Sequence, residues 1–203
     1  MRFAQLKYQQ QQEVPVSAPS ISSARDVIDY LKTQHETIKA LFVEVLDAAD
    51  AETRQDAFTR LRTMLAVHET AEEMVVHPRV RRKVDGGQAI VDARLAEEHD
   101  AKVLLRDIEE LPIDSAEFGK ALIHLQGAVL THAANEEELE FTALEEAVSE
   151  DELAKLADAV AVAERIAPTH PHPGVESGAA NFAAGPFASV LDRARDALSA
   201  FRS

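Results

Sequence analysis

Four histidines are distributed along the chain so that each of four predicted helices carries one. They are His35, His68, His99 and His132. Two of them are followed four residues later by a glutamate, Glu72 after His68 and Glu136 after His132, and this spacing places both side chains on one face of an α-helix. Imidazoles and carboxylates together are ligands for iron, manganese and zinc. The pattern therefore predicts a metal site assembled from several helices.

Apolar side chains around three of the histidines predict that their helix faces point into a core. At about 100° per residue, each shares its face with apolar residues: Leu31, Ile38 and Phe42 for His35, Leu61 and Leu65 for His68, and Leu125, Val129 and Leu139 for His132. An ionised carboxylate in a core is costly unless it is paired or bound to a metal, so Glu72 and Glu136 both favour a bound cation. The face of His99 also carries Asp92 and Lys102, and the pattern leaves its direction open.

Other polar residues are weaker candidates. Glu69 lies at the edge of the apolar face, where it can either reach a metal or stay solvated. Glu73 and Glu137 fall further round and are predicted to be surface charges. His77 lies about 180° from His68 on a regular helix and is left out of the predicted site. Taken singly, any of the histidines also fits a hydrogen-bonded core residue, and only their joint pattern favours a metal.

Inspection excludes several other motifs. The run from His68 to Glu72 resembles the zinc-protease motif His-Glu-x-x-His, but its fifth residue is a glutamate. None of the histidines has a glutamate three residues before it, as ferritin-like di-iron bundles require. The chain also lacks a P-loop, a Gly-x-Gly-x-x-Gly fingerprint and a Gly-x-Ser-x-Gly elbow.

The elements that must position these residues are four long helices with short connections. Helical periodicity predicts them from a cap at Ser22 or Ser23 to about Leu46, from about Asp56 to Lys83, from about Gln88 to Leu111, and from a cap at Asp114 or Ser115 to Val148. Such helices predict an all-α, up-down-up-down four-helix bundle. Ser149 and Glu152 predict a capping box for a fifth helix.

The predicted organisation has four parts. Residues 1–20 read as a flexible leader, residues 21–149 as the bundle, residues 150–167 as an additional helix, and residues 168–203 as a Pro/Gly loop followed by an amphipathic C-terminal helix. This last helix either packs on the bundle or forms a dimer contact. The sequence therefore leaves a monomer and a dimer both open.

Composition narrows the range of partners. The 203 residues carry a formal net charge of −15, which disfavours nucleic acid and anionic membranes. The absence of cysteine removes thiolate metal sites and disulfides. No apolar run is long enough for a membrane span, and no secretory signal is recognised. Cytoplasmic localisation is the resulting expectation.

The histidine and glutamate motifs resemble those of the hemerythrin family, and more closely its bacterial HHE cation-binding branch. The motifs are His35-Glu36, His68-Glu69-x-x-Glu72, Glu98-His99 and His132-x-x-x-Glu136. The resemblance covers about residues 24–148, and the tail beyond it is similar to those of actinobacterial members. It implies a four-helix bundle that holds two non-haem irons, bridged by carboxylates and by an oxo or hydroxo group.

Carried over to this chain, the resemblance implies His35, His68, His99 and His132 as imidazole ligands and Glu72 and Glu136 as bridging carboxylates. Oxygen-carrying members have a further third-helix histidine where this chain has Leu95. They also place the last carboxylate five residues after the fourth-helix histidine, at the position of Glu137, whereas this chain also has Glu136 four residues after it. In both respects the chain is more similar to the hemerythrin domain of the iron-sensing F-box protein. There the glutamate after the second-helix histidine is an extra ligand, which adds Glu69 to the expected set.

Three functional hypotheses follow. The first is a di-iron protein that binds, senses or reacts with a small oxidant, namely dioxygen, peroxide or nitric oxide, and peroxide decomposition is an enzymatic activity compatible with it. The second is iron sensing or buffering without catalysis. The third is a metal-free helical interaction module, which leaves the two predicted core carboxylates unexplained.

Overall fold

The computed structural model describes residues 26–167, which form an all-α bundle. The helices are α1 (Val27–Asp47), α2 (Ala51–Ala71), α3 (His77–Lys83), α4 (Gly87–Glu109), α5 (Ala116–Asn135), α6 (Phe141–Ala147) and α7 (Glu150–Ile166). Two π-helical segments, π1 (Glu72–Val76) and π2 (Glu136–Glu140), join α2 to α3 and α5 to α6. The bundle therefore has four long helical rods, with α7 as an additional helix. The rods are α1, the continuous segment α2–π1–α3, α4, and the continuous segment α5–π2–α6. The predicted leader and the predicted segment 168–203 lie outside the described residues.

Helix starts follow ordinary capping chemistry. The Asp26 carboxylate accepts hydrogen bonds from the backbone N–H groups of Ile28 and Asp29, so the predicted cap at Ser22 or Ser23 is wrong. Ser115 caps α5 and Ser149 caps α7, as their positions in the sequence predict. Each cap provides an acceptor for an N–H group that has no partner inside the helix.

Two apolar clusters fill the bundle, one toward each end. The first contains Leu31, Val76 and Phe141 and receives the apolar face of α7. The second contains Phe42 and Leu125 and fills the opposite end. In every rod, buried polar residues lie between the parts of the chain that contribute to these clusters. None of the described helices combines the length and apolar character needed to cross a bilayer.

The π segments change which side chains face the core. A π turn takes up an extra residue relative to an α turn, which rotates the following residues by about 100°. Glu140 is consequently fully buried, whereas Leu139 is 55% exposed. The prediction that Leu139 lies on the core face is therefore wrong, because it assumed uniform α-helical spacing.

Candidate metal centre

Two groups of four buried side chains can each hold a metal ion. The first group is His35, His68, Glu72 and Glu136, and the second is Glu72, Glu98, His132 and Glu136. Within each group the ligand atoms all lie within 4.8 Å of one another. Glu72 and Glu136 belong to both groups, so each can bridge two adjacent ions. The two groups are therefore contiguous and have two carboxylates in common.

The shared carboxylates are buried without hydrogen-bond partners. Both oxygens of Glu72 and both of Glu136 make no hydrogen bond to any residue in the range 26–167, and neither does Nε2 of His132. His132 Nε2 lies 3.1 Å from Glu136 Oε1, yet the two groups are not aligned for a hydrogen bond. Buried polar atoms of this kind are costly unless a cation satisfies them. The donor set therefore fits a metal.

Each of the three imidazoles in these groups is held through its Nδ1 atom. His35 Nδ1 lies 2.8 Å from Glu137 Oε1, and His132 Nδ1 lies 3.0 Å from Glu97 Oε2. Because a carboxylate only accepts hydrogen bonds, each Nδ1 atom must donate. Nε2 is then the atom of each imidazole that is left to bind a metal, as in histidine ligands with an outer hydrogen-bond partner. Burial disfavours a charge on His132, but Glu136 and Glu97 outweigh it and raise the pKa of His132 well above its usual value, so metal binding there would displace a proton from Nε2.

The third imidazole follows the same rule with an amide as its partner. His68 Nδ1 lies 2.8 Å from Gln34 Oε1, and its Nε2 lies 3.1 Å from Nε2 of His35. Two metal–nitrogen bonds of about 2.1 Å at a right angle place their nitrogens roughly 3 Å apart. The two Nε2 atoms are therefore spaced as neighbouring ligands of one ion.

Burial and neighbouring charges shift the pKa values of the side chains in the centre. Burial, followed by the charge of Glu136, raises the pKa of Glu72 well above its usual value. Burial also disfavours ionisation of Glu136, but the neighbouring His132 and His35 outweigh it and hold the pKa of Glu136 well below its usual value. Burial, followed by the charge of His35, lowers the pKa of His68 to about 3. His68 is therefore neutral at physiological pH, as a metal ligand must be.

His77 is a buried residue that the sequence pattern misplaced. Its Nε2 atom lies 2.7 Å from Glu98 Oε1, and its Nδ1 atom lies 2.9 Å from Glu140 Oε1. The rotation introduced by π1 reduces its angle from His68 from about 180° to about 80°. Burial works against a charge on His77, but these two carboxylates raise its pKa well above the usual value. His77 thus fixes Glu98, a member of the second group.

Two residues expected as ligands lie outside both groups. His99 is half-buried, and the carboxylate of its neighbour Glu98 takes part instead. Glu69 is buried but lies beside an ammonium group, with its Oε2 atom 3.4 Å from Lys102 Nζ. Lys102 also lies 2.6 Å from Glu73, which is only 7% exposed. The prediction that Glu73 is a surface charge is therefore wrong.

A repeat in the sequence contains information about these assignments. The pairs His35 and His99, His68 and His132, and Glu72 and Glu136 are each separated by 64 positions, and so are Gln34 and Glu98. Gln34 and Glu98 both hydrogen-bond to a buried histidine. This repeat is a sequence signal that could have assigned a role to Glu98. It gives no hint of His77, because the matching position is Phe141.

A small cavity of about 10 Å³ lies next to the first group, with room for about one water molecule. Its lining includes the polar residues His35, His68, Glu69 and His132 and the apolar residues Ile38, Leu65 and Val129. A small ligand in this cavity would therefore contact metal-binding side chains on one side and hydrocarbon on the other.

A family model and a relative both identify this chain as similar to hemerythrin-like proteins. The family model described as the hemerythrin HHE cation binding domain matches residues 26–144. An uncharacterized hemerythrin-like protein of Schizosaccharomyces pombe is 25% identical over 186 residues, which are 91% of each chain. A DNA nickase of a Nostoc species is 28% identical over 129 residues, which are 63% of this chain but 36% of the nickase.

A similar fold is found in a crystal structure. A hemerythrin HHE cation binding domain-containing protein from Mycobacterium kansasii superposes with a TM-score of 0.62 at 20% identity. The alignment covers 69% of this chain and 85% of that one. At this level of identity the likeness concerns the fold.

Proposed function

This chain belongs to the hemerythrin HHE cation-binding domain family, and from that premise we propose that it holds two non-haem iron ions and binds, senses or reacts with a small oxidant. The observation that carries the proposal is the sharing of Glu72 and Glu136 between two buried ligand groups. A site for one ion does not need the second set of side chains. Two ions bridged by both carboxylates would use all of them.

The proposed ligands divide between the two ions. His35 and His68 bind one ion, Glu98 and His132 bind the other, and Glu72 and Glu136 bridge them. Each ion then has four protein ligand groups, which leaves positions of an octahedral ion for exogenous oxygen ligands. Iron, when bound, would supply redox chemistry and Lewis acidity at these open positions. His99 and Glu69 are not needed for this set, and His99 is tested separately by substitution.

The residues around the centre suit a small oxidant. The cavity next to His35 and His68 is too small for an organic substrate and is partly lined by hydrocarbon. Burial of the ligands excludes bulk water, and the Nδ1 hydrogen bonds hold the imidazoles in place. Dioxygen, peroxide and nitric oxide each have only two heavy atoms, so a cavity with room for about one water molecule needs to widen only slightly to admit them.

Iron sensing or buffering is a second candidate, favoured by the unpartnered carboxylates. Without a cation, the buried Glu72 and Glu136 destabilise the fold, so metal binding must stabilise it. A partner could then recognise the metal-stabilised fold. The activity of the nickase is not carried over, since the net charge of −15 disfavours DNA.

The test is metal content per chain in protein purified under air, followed by visible absorption before and after peroxide addition. Two irons per chain, with charge-transfer bands that change on peroxide addition, are expected. Glu136→Gln is the matched control, because it keeps the shape of the side chain and removes its charge. Two irons with no spectral response to oxidants would favour sensing or buffering. Absence of bound metal, with unchanged stability of the control variant, would leave the metal-free module.

A further inference from the structure

A chain of hydrogen bonds connects helix α7 to a proposed metal ligand. Glu164, near the end of α7, accepts a hydrogen bond of 2.7 Å from the Tyr30 hydroxyl at its Oε2 atom. Its Oε1 atom accepts one from the side-chain amide of Gln34. The other end of that amide, Gln34 Oε1, lies 2.8 Å from Nδ1 of His68. Three helices are thus joined by side chains that end at the first ligand group.

The donors and acceptors in this chain of hydrogen bonds can be assigned in only one way. An ionised carboxylate offers acceptors alone, so the amide of Gln34 must turn its NH₂ group toward Glu164. The carbonyl oxygen of Gln34 then faces His68, whose Nδ1 must donate a proton to it. His68 consequently carries its lone pair on Nε2, the atom that faces His35 and Glu72. The carboxylate on α7 therefore determines which nitrogen of His68 is available for a metal.

Apolar packing and an ion pair hold helix α7 against the bundle, so that Glu164 stays next to Gln34. Its apolar side chains, including Leu153 and Val160, belong to the same core cluster as Leu31 and Val76. An ion pair between Arg79 and Glu152 attaches its first turn. Burial raises the pKa of Glu164, while hydrogen bonds from Tyr30 and Gln34 partly offset this effect. The whole helix follows residues 26–144, which are the part of the chain matched by the family model.

We propose that Glu164 is a positioning residue for His68, and that α7 is consequently an integral part of the metal centre. The effect on metal affinity rests on the proposed function, whereas the effect on the tautomer of His68 does not. Because coupling between two sites is reciprocal, metal bound by His68 must in turn stabilise the docked position of α7. The stability with which α7 docks on the bundle therefore depends on whether the first ligand group holds a metal, although α7 lies outside the residues that the family model matches.

The experiment compares Glu164→Ala and Glu164→Asp with a control, Glu152→Ala, in the full chain. Asp keeps the charge but is too short to reach Tyr30 and Gln34 together, and Glu152→Ala loosens α7 without touching the hydrogen-bond chain. Affinity of the metal-free proteins for Fe²⁺ is measured under nitrogen. Loss of an outer hydrogen-bond partner weakens metal binding by about 10- to 100-fold. Because Glu164 acts on His68 through Gln34, a loss at the lower end of this range, about 10-fold, is expected for both Glu164 variants but not for Glu152→Ala. Hydrogen exchange of Glu150–Ile166 should slow when Fe²⁺ binds the wild-type chain, and slow less in the Glu164 variants.

A second readout requires no metal. The ¹⁵N shifts of the His68 imidazole in the metal-free protein should show the Nδ1–H tautomer in the wild type and in Glu152→Ala, and a tautomer mixture in the Glu164 variants. Equal Fe²⁺ affinity in wild type and Glu164→Asp, or equal losses in Glu164→Ala and Glu152→Ala, would overturn the proposal. An unchanged tautomer in the Glu164 variants would overturn it as well. If the wild type binds no Fe²⁺ but the tautomer still shifts, the proposed function fails and the positioning role of Glu164 stands.

Discussion

His77 Nε2 lies 2.7 Å from Glu98 Oε1, with both side chains almost completely buried. The contact exists because π1 rotates His77 toward the inside of the bundle, whereas uniform α-helical spacing would place it on the opposite face from His68. The hydrogen bond with His77 and its charge outweigh burial and lower the pKa of Glu98 to about 2. Glu98 is therefore ionised and held in place where the second ligand group requires it.

The first prediction separates Glu98 from its neighbour His99. Glu98→Gln keeps a hydrogen-bond acceptor for His77 but removes the charge, and should weaken binding of the second metal ion by at least about 10-fold. His99→Gln should leave metal affinity near the wild-type value, because His99 belongs to neither group. Titration of the metal-free proteins with Fe²⁺ under nitrogen checks both. Loss of one ion in His99→Gln alone would return the third-helix ligand to His99.

The second prediction concerns the shared carboxylates. Since Glu72 and Glu136 each serve both groups, Glu72→Gln and Glu136→Gln should each reduce metal content from two ions to nearly none. His35→Gln and His132→Gln should each remove one ion, because each histidine belongs to a single group. Elemental analysis of proteins purified in parallel measures the difference. A variant of Glu136 that retains one full ion per chain would argue against bridging.

The third prediction is that the free energy of unfolding depends on pH differently in the metal-free and the metal-loaded protein. Burial raises the pKa of Glu69 to about 7 and that of Glu73 to about 8, although Lys102 opposes both shifts. The metal-free native state then holds protons that the unfolded chain has released, so its free energy of unfolding should fall as pH rises from 6.5 to 8. Ligands that bind metal must lose protons, so the metal-loaded protein should gain stability relative to the metal-free form over the same range. Urea unfolding at pH 6.5 and 8, with and without metal, measures both slopes. Parallel slopes in the two forms would contradict this prediction.

The fourth prediction tests the rotation at π2. Leu139→Ala should change the free energy of unfolding by less than about 0.5 kcal/mol, because the side chain is 55% exposed. Leu125→Ala is the matched comparison and should cost about 2–5 kcal/mol, because Leu125 is fully buried. Urea unfolding of the metal-loaded proteins provides the values. Similar losses for both variants would mean that Leu139 packs in the core and that π2 does not rotate the helix.

The sequence predicted the parts of this protein that depend on spacing within one regular helix. Helical periodicity was sufficient for the four long helical segments, and capping residues were sufficient to limit the cap of α5 to Asp114 or Ser115 and to predict the helix after Ser149. Pairs four residues apart lie on one face whatever their surroundings, and His68 with Glu72 and His132 with Glu136 do share the buried centre. The resemblance to the hemerythrin family rested on these same pairs, and the family model confirms it.

Tertiary structure decided what uniform spacing could not describe. A π turn depends on how a helix packs along its whole length, so its rotation of His77, Leu139 and Glu140 is invisible in a pattern of 3.6 residues per turn. Partners from other helices were equally hidden, because Gln34, Glu97 and Glu137 find their histidines across the bundle. The sequence by itself supplied five of the six side chains in the two ligand groups, and it missed Glu98. Packing of the rods against one another and against α7 decided which nitrogen and oxygen atoms lie close enough together to form the two ligand groups.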